Sequence, residues 1–146
     1  MRAWSFALAF VLATSAAAQE SASAPATMDL IGDSLIAPAE LTALQVEGRA
    51  PQILDVRSEA EYAAGHVPGA IWIPYDQIEA RIDELGVPGE LIVYCRSGHR
   101  AGLAEAVLEA NGFHVTQIEG SFQAWQAAEQ PIQISEEEHG QTQSNP

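Results

Sequence analysis

The sequence predicts an α/β fold, a sandwich of helices around a mostly parallel sheet. Three observations predict it. Short apolar runs of strand length alternate with segments whose apolar residues recur at helical spacing. Glycine or proline stands at most boundaries between the two kinds of segment. The 146 residues carry no internal repeat and suffice for one hydrophobic core.

The elements follow in order. Leu35-Ile36 makes a short edge strand. Pro38 suits the first turn of a helix that Ala39 to Val46 continues and Gly48 ends. Gln52 to Val56 is a strand with Asp55-Val56-Arg57 at its carboxyl end. Ser58 and Glu61 form a capping-box pattern that starts a brief helical turn, EAEY. Gly65 to Gly69 is a turn, and Ala70 to Ile73 a strand stopped by Pro74. Tyr75, Ile78, Ile82 and Leu85 have helical spacing, with Gly86 closing that helix. Leu91 to Tyr94 is a buried-strand run, and a helix from Arg100 to Ala110 places Leu103, Val107 and Ala110 on one face before Asn111-Gly112 stops it. Phe113 to Ile118 gives a further strand and Phe122 to Glu129 a terminal helix.

The flanks read differently. Residues 1–18 have one positive charge at Arg2, the apolar centre WSFALAFVLA and the small residues Ala16-Ala17-Ala18, which predicts a secretory signal peptide cut before Gln19. The apolar run is too short for a membrane span, so a periplasmic location is expected if the source is Gram-negative. Residues 19–33 are a flexible leader rich in Ala, Ser and Pro, 34–130 form the domain, and 131–146 are an acidic polar tail expected to be disordered.

The chain has no lysine, and twenty acidic residues face six arginines, for a formal charge of −14. Such acidity argues against nucleic acid or an anionic membrane as partner. It also makes any arginine pair a local positive island that would concentrate a small anion. One cysteine permits no internal disulfide, so in an oxidising compartment its thiol is reactive or protected by burial.

That cysteine, Cys95, ends the run Leu91-Ile92-Val93-Tyr94 and is followed by Arg96-Ser97-Gly98-His99-Arg100 and a helix. Strand, cysteine, short loop and helix N-terminus make an anion-binding cradle, because the loop and first-turn N–H groups converge where the sulfur sits. The same field favours thiolate over thiol. Gly98 lets the backbone take positive φ, and Arg96 and Arg100 offer planar forks that match sulfonate, sulfate or phosphate oxygens. A purely structural core cysteine would need neither arginine nor the glycine.

The stretch CRSGHRA, its helix and GFHVTQIEGSFQAW resemble the active-site half of a single-domain rhodanese, a sulfurtransferase. ILDVRSEAEYAAGHVPGAIWIP resembles the other half, in the right order, so the likeness runs from about Ala37 to Trp125. The resemblance implies a rhodanese-like three-layer sandwich with a five-stranded parallel sheet. It implies a Cys95 persulfide loaded from thiosulfate or a related small sulfur-containing anion. Arg96, Ser97, Gly98, His99 and Arg100 would bind that donor, and cyanide in a test or a small or protein thiol in the cell would accept the sulfur. No metal or organic cofactor is required.

Asp55 and Arg57 match the family's Asp-Val-Arg element and read as a supporting polar network, with Glu61 a carboxylate partner for Arg57. His66 matches the GHIPGA element and shapes the fold, His99 tunes access, and Trp125 packs beneath the site. His114 and His139 have no companion ligands for a metal. One departure is Gly120-Ser121 where two glycines are usual, with serine expected to serve as a helix cap. Three alternatives stand beside the enzyme: a phosphatase or arsenate-reductase relative, whose loop is one residue longer; a non-enzymatic persulfide carrier; and an inactive interaction domain, which would have lost the cysteine or the arginines.

Overall fold

The computed structural model describes residues 35–135. The signal-peptide and leader readings, His139 and the end of the tail lie outside the described residues.

Five strands form one sheet in the order β1-β5-β4-β2-β3, every neighbouring pair parallel. They are β1 (Leu35–Ile36), β2 (Gln52–Asp55), β3 (Ile71–Trp72), β4 (Glu90–Tyr94) and β5 (His114–Ile118). The helices are α1 (Pro38–Val46), α2 (Glu59–Ala64), α3 (Ile78–Arg81), α4 (His99–Ala110) and α5 (Ser121–Ala127). The sheet is wholly rather than mostly parallel, since each connection between strands crosses over through a helix or a long loop.

Alternation along β4 divides the core in two. Leu91, Val93 and Cys95 face a cluster with Leu54, Ile78, Ala104 and Leu108, on the side of α3 and α4. Ile92 and Tyr94 face the other cluster with Leu41, Leu44, Phe122 and Trp125, on the side of α1 and α5. A strand buried on both faces must be apolar throughout, which is why LIVY shows no polar alternation. This three-layer arrangement puts β4 in the centre of the sheet and Cys95 at its carboxyl edge, where open α/β sheets bind ligands.

Four expectations are corrected. The segment 75–85 is a turn, the single turn of α3 and a 3-10 turn at Ile82–Leu85, not one helix. Its apolar spacing records which side faces the core, while the backbone tightens toward Gly86 as helix ends commonly do. On α4 the buried face is Ala101, Ala104 and Leu108, whereas Leu103 is 49 % exposed and Ala110 is exposed. The loop ahead of α4 sets its rotation, and the small alanines let the helix lie close to the sheet. Ser121 caps nothing: Gly120 is the N-cap of α5, without a side-chain cap bond, and Ser121 is its first residue.

The fourth correction concerns the tail. Its first residues, 131–135, pack on the domain, with Gln133 and His66 exchanging backbone hydrogen bonds of 2.8 and 2.9 Å. Trp125 Nε1 donates to the Pro131 carbonyl at 2.9 Å, and a Cβ on Gly65 would meet Ile132 Cγ2 at 2.8 Å. Glycine at 65 is therefore what lets the tail lie down. No helix among the described residues is long and apolar enough to cross a membrane.

Candidate active site

The loop after β4 turns back on the sulfur it follows. Gly98 takes φ 106°, a left-handed conformation that favours glycine, and its N–H donates to Cys95 Sγ at 3.0 Å. Gly98 is also the N-cap of α4, so the N–H groups of His99, Arg100 and Ala101 in the first turn have no intrahelical acceptor. Cys95 itself is 1 % exposed, with its sulfur at the floor of the loop rather than on its rim. The Gly98 N–H and the N-terminal end of α4 thus lie beside a buried sulfur.

Two α5 amides hold the loop from behind. Phe122 N–H donates to the Cys95 carbonyl at 3.0 Å and Gln123 N–H to the Arg96 carbonyl at 3.1 Å. Arg96, Ser97 and His99 are exposed.

The two loop arginines differ. Arg100 is committed to Glu61, with Nη1 and Nη2 on the two carboxylate oxygens at 2.8 and 2.9 Å. The same carboxylate closes the capping box of α2, accepting from Ser58 N–H at 3.0 Å. Hydrogen bonds from Arg100 above all, then those from Ser58, hold the Glu61 carboxyl down to about 2, against an upward push from burial. The expected Glu61–Arg57 pair is therefore overturned. Arg57 instead pairs with Asp55 through its own Nε and Nη2 at 2.6 to 3.0 Å, and donates to the Gly65 carbonyl at 2.7 Å. Two residues apart at a strand end, Asp55 is simply nearer.

Of the five arginines among the described residues, Arg49, Arg57, Arg81 and Arg100 are each in an ion pair. Arg96 alone has none.

Tyr94 belongs to the Asp55–Arg57 network. Its hydroxyl donates to Asp55 Oδ2 at 2.6 Å and accepts from Val67 N–H at 3.0 Å, and burial first, then the Asp55 charge, push its ionisation up. Burial pulls the Arg57 guanidinium down, but the Asp55 hydrogen bonds and charge outweigh it and the net shift is upward. The Arg57 guanidinium carbon also lies 3.9 Å over the Phe122 ring. This ties β2, the start of α2 and α5 together directly beside the cysteine loop. As the sequence implies, Asp55 and Arg57 form a network. Tyr94 and Phe122 look like ordinary core aromatics in sequence, and only the alternation that sends Tyr94 to the α5 side hints otherwise.

His66 is buried, stacks on Tyr62 at 3.8 Å and donates from Nδ1 to the Tyr62 carbonyl at 2.9 Å. His114 is exposed at the far end of β5. Among the described residues no group of three or more His, Cys, Asp or Glu could hold a metal ion.

Two clefts border the site, on either side of the Glu61–Arg100 pair. One, of about 260 Å³, is lined by Arg57, Glu61, Gly65, Arg96, Phe122 and Ile132, so the tail forms one of its walls. The other, of about 350 Å³, has Ser58, Trp72, Tyr75 and Arg100 among its residues. The arrangement sets a buried sulfur under the Gly98 N–H, with Arg96 lining one neighbouring cleft and Arg100 the other.

Comparison with known proteins follows the same lines. The chain is 35% identical over 81 residues to a sulfurtransferase of Allochromatium vinosum, covering 55% of this chain and 76% of that protein. It is 31% identical over 93 residues to the thiosulfate sulfurtransferase GlpE of Pseudomonas entomophila, covering 63% and 84%. A rhodanese-like domain protein from Staphylococcus aureus superposes with a TM-score of 0.61 at 31% identity, over 68% of this chain and 96% of that one. Of three further curated relatives the chain spans only 33%, 50% and 62% of the length. The pattern of the family described as Rhodanese-like domain matches residues 37–128, the span that holds both the Asp55–Arg57 network and the cysteine loop. With architecture, loop and profile in agreement, the chain belongs to the rhodanese-like domain family.

Proposed function

We propose that the protein is a sulfurtransferase that carries sulfane sulfur on Cys95. The observation that carries this is the Gly98 N–H held on Cys95 Sγ at 3.0 Å, with the unpaired Arg96 as the next residue. In the first step the Cys95 thiolate attacks the outer sulfur of thiosulfate. A Cys95–sulfur bond forms, the sulfur–sulfur bond of thiosulfate breaks, and sulfite leaves with the electron pair. Arg96 faces the sulfonate oxygens, and the loop amides stabilise charge on the cysteine's sulfur before attack and on the persulfide after it.

In the second step a nucleophile takes the outer sulfur and Cys95 leaves as thiolate, so the cycle has no net redox change. Cyanide serves in an assay, giving thiocyanate, and a thiol serves in the cell. Arg100, tied to Glu61, orients the loop more than it binds the donor. His99 stands at the entrance, and Ser97 adds a hydroxyl to the same rim. The signal-peptide pattern of residues 1–18 supports export, to a periplasm in a Gram-negative source.

Thiosulfate:cyanide sulfurtransferase activity, compared with Cys95→Ser, tests this. Turnover with ping-pong kinetics is expected in the wild type and none in the variant. A wild type that acquires one sulfur atom by mass spectrometry yet turns over no small acceptor would replace the enzyme by a persulfide carrier. One that acquires none would sink both.

A further inference from the structure

Ser121 is unexplained by the chemistry above. It is fully buried, and its Oγ has no hydrogen-bond partner. Its backbone is left-handed, with φ 55°, a conformation that penalises any side chain with a Cβ. Glycine would avoid both penalties. A buried hydroxyl without an acceptor lowers folding stability, so its presence asks for a state in which it has one.

The cysteine loop lies close by. A Cβ placed on Gly98 would be 3.9 Å from Ser121 Oγ, and the next two residues of α5 already donate to the Cys95 and Arg96 carbonyls. The Gly98 carbonyl is taken by Gly102 N–H at 3.0 Å. Among the described residues the Ser97 carbonyl has no donor. It belongs to the same trans peptide as the Gly98 N–H, so the two point in opposite directions. With the N–H aimed at Cys95 Sγ, the Ser97 carbonyl points away from the sulfur, while the Cys95 and Arg96 carbonyls accept from α5.

We propose that Ser121 is a positioning residue for the loaded enzyme: its Oγ–H donates to the Ser97 carbonyl when Cys95 carries the transferred sulfur. An added sulfur lies about 2.05 Å beyond Sγ and takes the negative charge with it. To follow the charge, the Ser97–Gly98 peptide must turn, and the turn carries its carbonyl relative to the waiting hydroxyl. The new bond then locks the Gly98 N–H on the persulfide. This rests on the persulfide chemistry proposed above, and no covalent step passes through Ser121.

The test uses Ser121→Gly and Ser121→Ala in the full chain, loaded with thiosulfate or inorganic polysulfide, with persulfide loss in the absence of acceptor followed by mass spectrometry. Loss is expected to be about 2- to 10-fold faster in both variants, the range one hydrogen bond gives. The pH profile of Cys95 alkylation in the unloaded proteins is expected to match the wild type, and the thermal midpoint of Ser121→Gly to equal or exceed it. Persulfide lifetimes equal to the wild type would overturn the proposal. So would an altered alkylation profile before loading, which would place the role of Ser121 in the resting loop. Should Ser121→Ala fail to fold, Ser121→Gly carries the test alone. A wild type that loads from neither donor overturns the persulfide chemistry itself and this proposal with it, an outcome visible before any variant is compared.

Discussion

Arg96 and Arg100 are equivalent in sequence, two guanidinium groups flanking one glycine. Among the described residues one is spent on Glu61 and the other is in no ion pair. Arg96→Ala should therefore raise KM for thiosulfate by about 10- to 100-fold, the loss of charge-assisted hydrogen bonds, with the thermal midpoint unmoved. Arg100→Ala should act chiefly on stability, by about 1 kcal/mol for a partly exposed pair, and on kcat through a loosened loop. Equal KM effects in steady-state assays of the two variants would show that Arg100 leaves Glu61 to bind the donor.

Glu61 carries a pH signature. Its carboxyl is held down to about 2, from an ordinary value of 4.5, so the folded state binds fewer protons than the unfolded state between those values. The stability it contributes is complete above about pH 5 and is lost as pH falls toward 2. Glu61→Gln should be less stable than the wild type in urea at pH 7, and the gap should close between about pH 5 and 2. A gap that stays constant over that window would mean the ion pair does not form in solution.

At the scale of elements, the cysteine loop decides how α4 lies. The helix begins at the residue after the glycine that binds the sulfur, so its rotation is set before its side chains are consulted. The result buries two alanines and Leu108 while Leu103 stands half in water. Leu108→Ala should cost about 2–5 kcal/mol in chemical denaturation, and Leu103→Gln less than about 0.5 kcal/mol. A comparable cost at Leu103 would restore the face that side-chain hydrophobicity alone selects. The same logic explains α3, where Ile78 and Leu85 are buried although the segment is not one continuous helix.

For the whole molecule, the domain does not end at Gln130. The Pro131 carbonyl satisfies the buried Trp125 indole, Gln133 satisfies the backbone of His66, and its Oε1 accepts from Gly69 N–H at 3.2 Å. Truncation after Gln130 should destabilise the protein by about 3 kcal/mol, roughly one for each of the three hydrogen bonds that the Pro131 carbonyl and the Gln133 backbone make, the exposed Gly69 bond adding little. It should also open the cleft that Ile132 walls. An unchanged denaturation midpoint would show that the pairing at His66 contributes nothing. Polar composition makes PIQIS read as the start of a disordered tail, and its isoleucines, 42 % and 63 % exposed, are not what holds it: backbone pairing with His66 is, which no local pattern encodes.

Sequence by itself determined the order of strands and helices, the position of Cys95 after an apolar run and before a glycine and a helix, and the capping box at Ser58. These are local matters: periodicity, turn chemistry and short-range hydrogen bonds are written into neighbouring residues. Only the tertiary structure decided which carboxylate meets which arginine, that Tyr94 joins Asp55, that Ser121 stands behind Gly98 with its hydroxyl unpaired, and that Gln133 pairs with His66 while Ile132 walls one cleft. Asp55 and Tyr94 are 39 residues apart, as are Glu61 and Arg100, and parallel strand register brings the first pair side by side. Charge and hydrogen-bond partners are chosen by distance in space, and a parallel sheet makes neighbours of residues that a linear reading holds a third of the domain apart.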